Sequence, residues 1–189
     1  SVTDRGWPSF RYGPDNSGYN PVEASLGVSN AGSLVTSWTA PVGIRLVSSP
    51  TVANGVAYIG SDDGSLYAFD AAGSQGCSGD PKVCEPLWTA PLGQAADSEI
   101  RAAATVVDGV VYVVAGSNDV GNLYALDAAG VIGCSGTPRT CTPLWTTFDI
   151  GYTDDPPTVS NSVVYVNSTD VDGYLHAFDA TGTAGCSGT

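Results

Sequence analysis

Gly55-Val-Ala-Tyr-Ile-Gly-Ser-Asp-Asp-Gly-Ser-Leu-Tyr-Ala-Phe-Asp70 is the stretch on which the fold turns. Runs of β-branched and aromatic residues flank Asp62-Asp63-Gly64, and Asp-Gly tolerates the positive φ of a tight hairpin. Working back, Asn54-Gly55 is a second such turn, with Ser49-Pro-Thr-Val-Ala53 as a strand before it. Working forward, Asp70 opens a Gly-rich loop containing Cys77 and Cys84, after which Pro86-Leu-Trp-Thr-Ala90 reads as a fourth strand. The pattern recurs at Gly109-Val-Val-Tyr-Val-Val114 with Leu123-Tyr-Ala-Leu-Asp127, and again at Ser162-Val-Val-Tyr-Val166 with Tyr174-Leu-His-Ala-Phe-Asp179. Asp70, Asp127 and Asp179 fall 57 and 52 residues apart. A repeat of this length holding several short strands specifies an array of small sheets rather than one conventional core.

No segment keeps an apolar i, i+3, i+4, i+7 stripe free of Gly and β-branched residues, so the expected class is all-β. Four-stranded antiparallel units in series are the blades of a β-propeller, and about three are encoded, a partial or open propeller. Residues 1–33 form an N-terminal segment, 34–86 the first blade repeat, 87–143 the second and 144–189 a truncated third. Leu66 and Ala68 face one side of a blade and Tyr67 and Phe69 the other. Both sides are apolar, as a blade held between two others requires. Trp38, Trp88 and Trp145 stand at the start of outer strands and are expected to pack between blades.

Six basic and nineteen acidic residues give a formal net charge of −13. A phosphate backbone is recognised by a Lys/Arg stripe, which this chain lacks, so nucleic acid is excluded as a partner. An anionic membrane surface is disfavoured for the same reason. No run approaches the roughly 20 apolar residues that span a bilayer, so membrane insertion is not expected. Cys77 and Cys84 have six residues between them, as do Cys134 and Cys141. That spacing inside Gly/Pro/Ser loops suits local disulfides better than zinc, whose usual pair spacing is shorter, and the only histidine is His176. Disulfides point to an oxidising compartment, hence a secreted or surface-displayed protein. Cys186 holds the place of the first Cys of a third pair and is expected to be unpaired. Asn167-Ser-Thr is a glycosylation sequon, relevant only in a host that glycosylates.

The segment from Ser48 to Ala71, with Leu87-Trp-Thr-Ala90 and the opening Trp7-Pro-Ser-Phe-Arg-Tyr-Gly-Pro-Asp-Asn-Ser-Gly-Tyr-Asn20, resembles the PQQ-like β-propeller repeat. That repeat occurs in quinoprotein alcohol dehydrogenases and in many non-catalytic secreted bacterial proteins. The resemblance covers nearly the whole chain and is specific for fold, not for activity. It implies a ring in which the first segment lends a strand to the last blade. About three blades do not close such a ring. The expected partners are therefore the remaining blades of a longer parent chain or other copies of this one.

In catalytic members the resemblance implies PQQ and Ca²⁺ at the mouth of the central funnel, with a vicinal Cys-Cys pair over the quinone and a Glu/Asn/Asp set on the metal. No two cysteines are adjacent here. Repeat alignment puts Val47, Arg101 and Asp154 at one axis-facing position with Asp155 beside it, so Arg101, Asp154 and Asp155 are the candidates for holding an anionic ligand. Solvated loop charges are the alternative. Asp62, Asp170 and Asp172 lie in acidic turns that could gather oxygen ligands for Ca²⁺, although Asp before Gly is also what hairpins select. His176 takes the strand position of Tyr67 and Tyr124 and reads as a packing substitution. No nucleophile elbow, P-loop or zinc-protease motif occurs, and no catalytic residue is assigned. The leading expectation is a non-enzymatic extracellular scaffold, self-assembling through open blade edges, with no cofactor. The alternatives are a fragment of a PQQ-dependent dehydrogenase with Ca²⁺, and a carbohydrate- or surface-binding module using Tyr12, Tyr19 and Tyr152.

Overall fold

The computed structural model describes residues 6–12, 18–21, 25–93, 98–117, 120–151, 153–168 and 173–182. Among them there is no α-helix, and the strands form several small sheets. Blade 1 pairs β1 (Thr51–Ala53), β2 (Val56–Gly60), β3 (Ser65–Asp70) and β6 (Trp88–Pro91) in antiparallel order. Between β3 and β6, β4 (Cys77–Ser78) and β5 (Val83–Cys84) make a two-stranded hairpin. Blade 2 pairs β7 (Thr105–Val107), β8 (Val110–Ser117), β9 (Val120–Asp127) and β12 (Trp145–Thr146), with the hairpin β10 (Cys134–Ser135) and β11 (Thr140–Cys141) before its last strand. Blade 3 pairs β13 (Thr158–Ser160), β14 (Val163–Asn167) and β15 (Leu175–Asp179).

The turns follow from residue chemistry. Asn54-Gly55 and Asp108-Gly109 have positive φ at both positions (51° and 78°, 50° and 79°), the geometry whose twist matches a β-hairpin. Blade 3 makes the same turn at Asn161-Ser162 with φ of 51° and 61°, although serine carries a Cβ into that region.

Each third strand ends in an aspartate that organises the loop after it. The Asp70 carboxylate accepts the amides of Ser74 (2.6 Å), Gln75 (2.8 Å) and Ala72 (3.3 Å), and the Ser74 hydroxyl at 2.5 Å. Asp127 accepts the amides of Val131, Ile132 and Ala129 in the same way. The Ser74 hydroxyl and these amides favour the charged form and hold the Asp70 carboxyl down at about 2, against an ordinary 3.8. The sign follows: the unfolded chain binds this proton more tightly, so the stabilisation is complete above pH 4 and is lost as pH falls from about 4 to 2. Urea midpoints measured at pH 5, 3 and 2 should therefore fall more steeply in the parent chain than in Asp70→Asn. Parallel curves would show that this carboxylate contributes nothing.

Both cysteine pairs form disulfides, Cys77–Cys84 and Cys134–Cys141, each joining directly opposed residues of its hairpin. Cys186 lies outside the described residues. The hairpins also clip neighbouring blades together. β11 of blade 2 pairs in parallel with β6 of blade 1 at Thr140 and Thr89, and Val83 makes the same parallel bridge to Thr39.

Blades dock through the repeated residues themselves. The Trp88 indole is 2% exposed and lies against Gly130 of blade 2, where an added Cβ would fall 2.1 Å from its Cδ1. Trp38 sits on Gly73 and Trp145 on Gly182 in the same manner. The Trp38 and Trp145 indole N–H groups donate to the Ala71 and Ala180 carbonyls at 3.2 and 3.1 Å. The Tyr58 hydroxyl of blade 1 donates to Ala128 O of blade 2 at 2.9 Å, and Tyr112 of blade 2 to Ala180 O of blade 3 at 3.2 Å. Thr51 donates to Ala104 O at 2.7 Å and Thr105 to Pro157 O at 2.6 Å. These bonds satisfy buried polar groups that would otherwise be costly.

The N-terminal segment lies across the inner edge of the blades. Trp7 exchanges two backbone hydrogen bonds with Val52 of β1, and Val106 of β7 donates to Pro8 O at 2.8 Å. The inner strands have a free edge, and an extended segment satisfies its amides and carbonyls. Among the described residues, Trp7 and Pro8 thus bridge the inner strands of blades 1 and 2.

Candidate functional site

The loops leading into β1 and β7 both meet the β2–β3 turn of blade 1, and here the rim charges gather. Ile100 donates to Ser61 O at 3.0 Å, and the Asp62 amide donates to Arg45 O at 3.0 Å. Asp62 is thereby set between two guanidinium groups, with Arg45 Nε at 3.0 Å and Arg101 Nε at 3.8 Å. Arg101 also pairs with Glu99 at 2.5 Å. The side chains of Asp62, Arg101 and Glu99 are largely shielded, whereas Arg45 is exposed. Two cations and two anions leave the cluster without net charge.

Two residues picked from the sequence for different reasons, Arg101 and Asp62, are thus brought together. Asp154 is exposed. Asp155 is exposed as well, and it accepts the Asn167 side-chain amide at 2.8 Å. That pair stands where Ser48 bonds both the amide and carbonyl of Gly60 in blade 1, so it is the polar link between loop and second strand at this point of the repeat. Asp170, Asp172 and Tyr152 lie outside the described residues. Among the described residues no three His, Cys, Asp or Glu side chains form a group able to hold a metal. Tyr12 packs edge-on against Trp7 with ring centroids 5.4 Å apart, and Tyr19 is exposed. His176 stacks on Phe178 at 6.0 Å and 9°, a packing contact within β15.

Sequence reasoning missed Arg45 and Glu99. Their signal was available: opposite charges in loops of consecutive repeats, at positions the fold superposes on one rim. A cleft of about 130 Å³ lies between the N-terminal segment and the inner strands of blades 2 and 3. Its walls include Pro8, Phe10, Val106, Pro157 and Val159, and its polar side chains are hydroxyls.

No protein-family model matches the chain, and no curated protein sequence matches it. Solved structures do, and they define the class of fold. The quinohemoprotein alcohol dehydrogenase of Comamonas testosteroni superposes on 93% of this chain and 26% of its own, with a TM-score of 0.68 and 19% identity. The quinohemoprotein alcohol dehydrogenase ADHIIG of Pseudomonas putida HK5 covers 93% of this chain and 25% of its own, with a TM-score of 0.69 and 21% identity. A europium-containing methanol dehydrogenase covers 93% and 30%, with a TM-score of 0.68 and 18% identity. The chain therefore has the β-propeller fold of these dehydrogenases and spans less than a third of their length.

Among the described residues the rim arginines Arg45 and Arg101 face Asp62 and Glu99, so none of them is assigned to the quinone named in the first two proteins. The cleft at the inner edge offers no charged side chain. No chemical step is derived through such a group.

Proposed function

We propose that this chain is an arc of a propeller of the quinoprotein dehydrogenase type, exported to an oxidising compartment, and that its part is architectural. It builds ring wall and one stretch of rim, and leaves any PQQ and Ca²⁺ ligands to blades outside residues 1–189. The observation that carries this reading is the pairing of the rim charges with each other, on a fold that matches a quarter to a third of a dehydrogenase. The two disulfides support export. Among the described residues no helix is long and apolar enough to cross a membrane.

Titrating PQQ with Ca²⁺ into the chain, followed by quinone absorbance and equilibrium dialysis, tests the reading. The expected outcome is no saturable binding. A micromolar dissociation constant that Arg101→Ala weakens tenfold or more would overturn it and place a quinone site on this rim.

A further inference from the structure

Each inner strand turns the backbone of one residue towards the inner edge. The two-residue turns make Ala53–Val56, Val107–Val110 and Ser160–Val163 the hydrogen-bonded pairs that close the three hairpins. The next pair along an antiparallel ladder is not hydrogen-bonded, so Val52, Val106 and Val159 point their N–H and C=O groups away from the second strand. The N-terminal segment answers the three unequally. Trp7 takes both groups of Val52, and Pro8 O takes the Val106 N–H at 2.8 Å. Among the described residues no backbone carbonyl meets the Val159 N–H.

The segment turns back before it reaches β13. Arg11 and Tyr12 have φ of 55° and 79°, a region uncommon for residues with a Cβ, and the Tyr12 N–H donates to Ser9 O at 3.1 Å. This turn sets the Tyr12 ring against Trp7 and leaves the cleft of about 130 Å³ between the segment and β13. Phe10, Val106 and the Pro156 and Pro157 rings wall the space, and Val159 lines it. An apolar cavity of roughly 150 Å³ admits benzene. The Pro157 carbonyl is already taken by the Thr105 hydroxyl, and neither proline has an N–H to offer. No charged side chain lines the cleft; Arg11 stands over the Phe10 ring, 6.0 Å from its centroid, outside the lining.

We propose that this cleft binds a small neutral molecule built of one ring and an adjacent carbonyl. The ring lies between Phe10 and the two prolines, and the carbonyl oxygen accepts the Val159 N–H. That oxygen supplies at β13 what Trp7 and Pro8 supply at β1 and β7. The absence of charge follows from the walls, because a carboxylate would leave water for a lining that holds no cation. The site is made by the N-terminal segment and blades 2 and 3 alone. It goes beyond the architectural reading, which quinone titration tests separately.

Benzamide is the probe, with toluene and benzoate as its apolar and charged analogues. Titrated into the ¹⁵N-labelled chain, benzamide should shift the Val159 amide resonance and saturate with a dissociation constant of about 1 mM, as expected for so few atoms. Benzoate should not bind in the same range. Val159→Pro removes the donor at a position that gives no bond to the ladder, and its melting temperature reports whether the fold is kept. It should weaken benzamide roughly 2- to 12-fold, the value of one hydrogen bond, and leave toluene unchanged. Phe10→Ala, at a wall residue that is 47% exposed, tests the ring seat even if the proline variant does not fold, and should weaken benzamide and toluene alike. The proposal is overturned by no saturable benzamide shift, or by benzoate binding as tightly as benzamide. It is equally overturned if Phe10→Ala changes neither ligand, or if a folded Val159→Pro keeps the benzamide-to-toluene ratio.

Discussion

Trp88→Ala is expected to cost about 3–5 kcal/mol and to loosen two blades at once. The indole is 2% exposed, packs 5.9 Å from the Tyr58 ring within its own blade, and lies on Gly130 of the next. Truncation removes apolar burial and leaves a cavity at a junction that Tyr58 and Thr51 cross with hydrogen bonds. Those bonds lose the packing that holds their geometry, which puts the cost in the upper part of the range for an aromatic truncation. Urea unfolding read by far-ultraviolet circular dichroism measures it. Trp38→Ala serves as the internal comparison, because its ring is only partly buried and should cost less. Equal and small effects of the two would contradict the docking role.

Removing both loop disulfides is the other large effect, at about 2–3 kcal/mol for each bond through the denatured chain. Each closes a loop with a sequence separation of 7. The hairpins they hold also touch the preceding blade, Thr140 at Thr89 and Val83 at Thr39. Reduction should therefore lower the melting temperature and raise hydrogen exchange in the Trp strands as well as in the loops. A melt unchanged by dithiothreitol would show that the hairpins hold without their sulfurs.

Much of this fold was legible because its determinants are local. Asn54-Gly55 and Asp108-Gly109 demand their turns, alternating Tyr and Leu/Phe residues demand two apolar faces, and Cys77 and Cys84 oppose each other in one hairpin. The role of the tryptophans was also readable, since a large aromatic recurring once per blade has no place but the junction. What was not legible depends on neighbours brought together only by the ring. The parallel bridge of Thr140 to Thr89 joins two repeats through residues of no special chemistry. The seat of Trp7 on β1 belongs to a segment outside the repeat, which carries no register to align. Asp62 read as a turn residue or a metal ligand; its partners Arg45 and Arg101 come from loops 17 and 39 residues away on either side.

Strand-resolved hydrogen exchange tests the central claim, that successive blades stabilise one another through the same repeated contacts. In such an array each unit is held by its neighbours, and protection follows the number of docked faces. Val111–Val114 and Leu123–Leu126 of blade 2, docked on both sides, should exchange slowest, and Leu175–Asp179 of blade 3 fastest among the long strands. Equal protection in the three sheets, or slowest exchange in blade 3, would contradict the account.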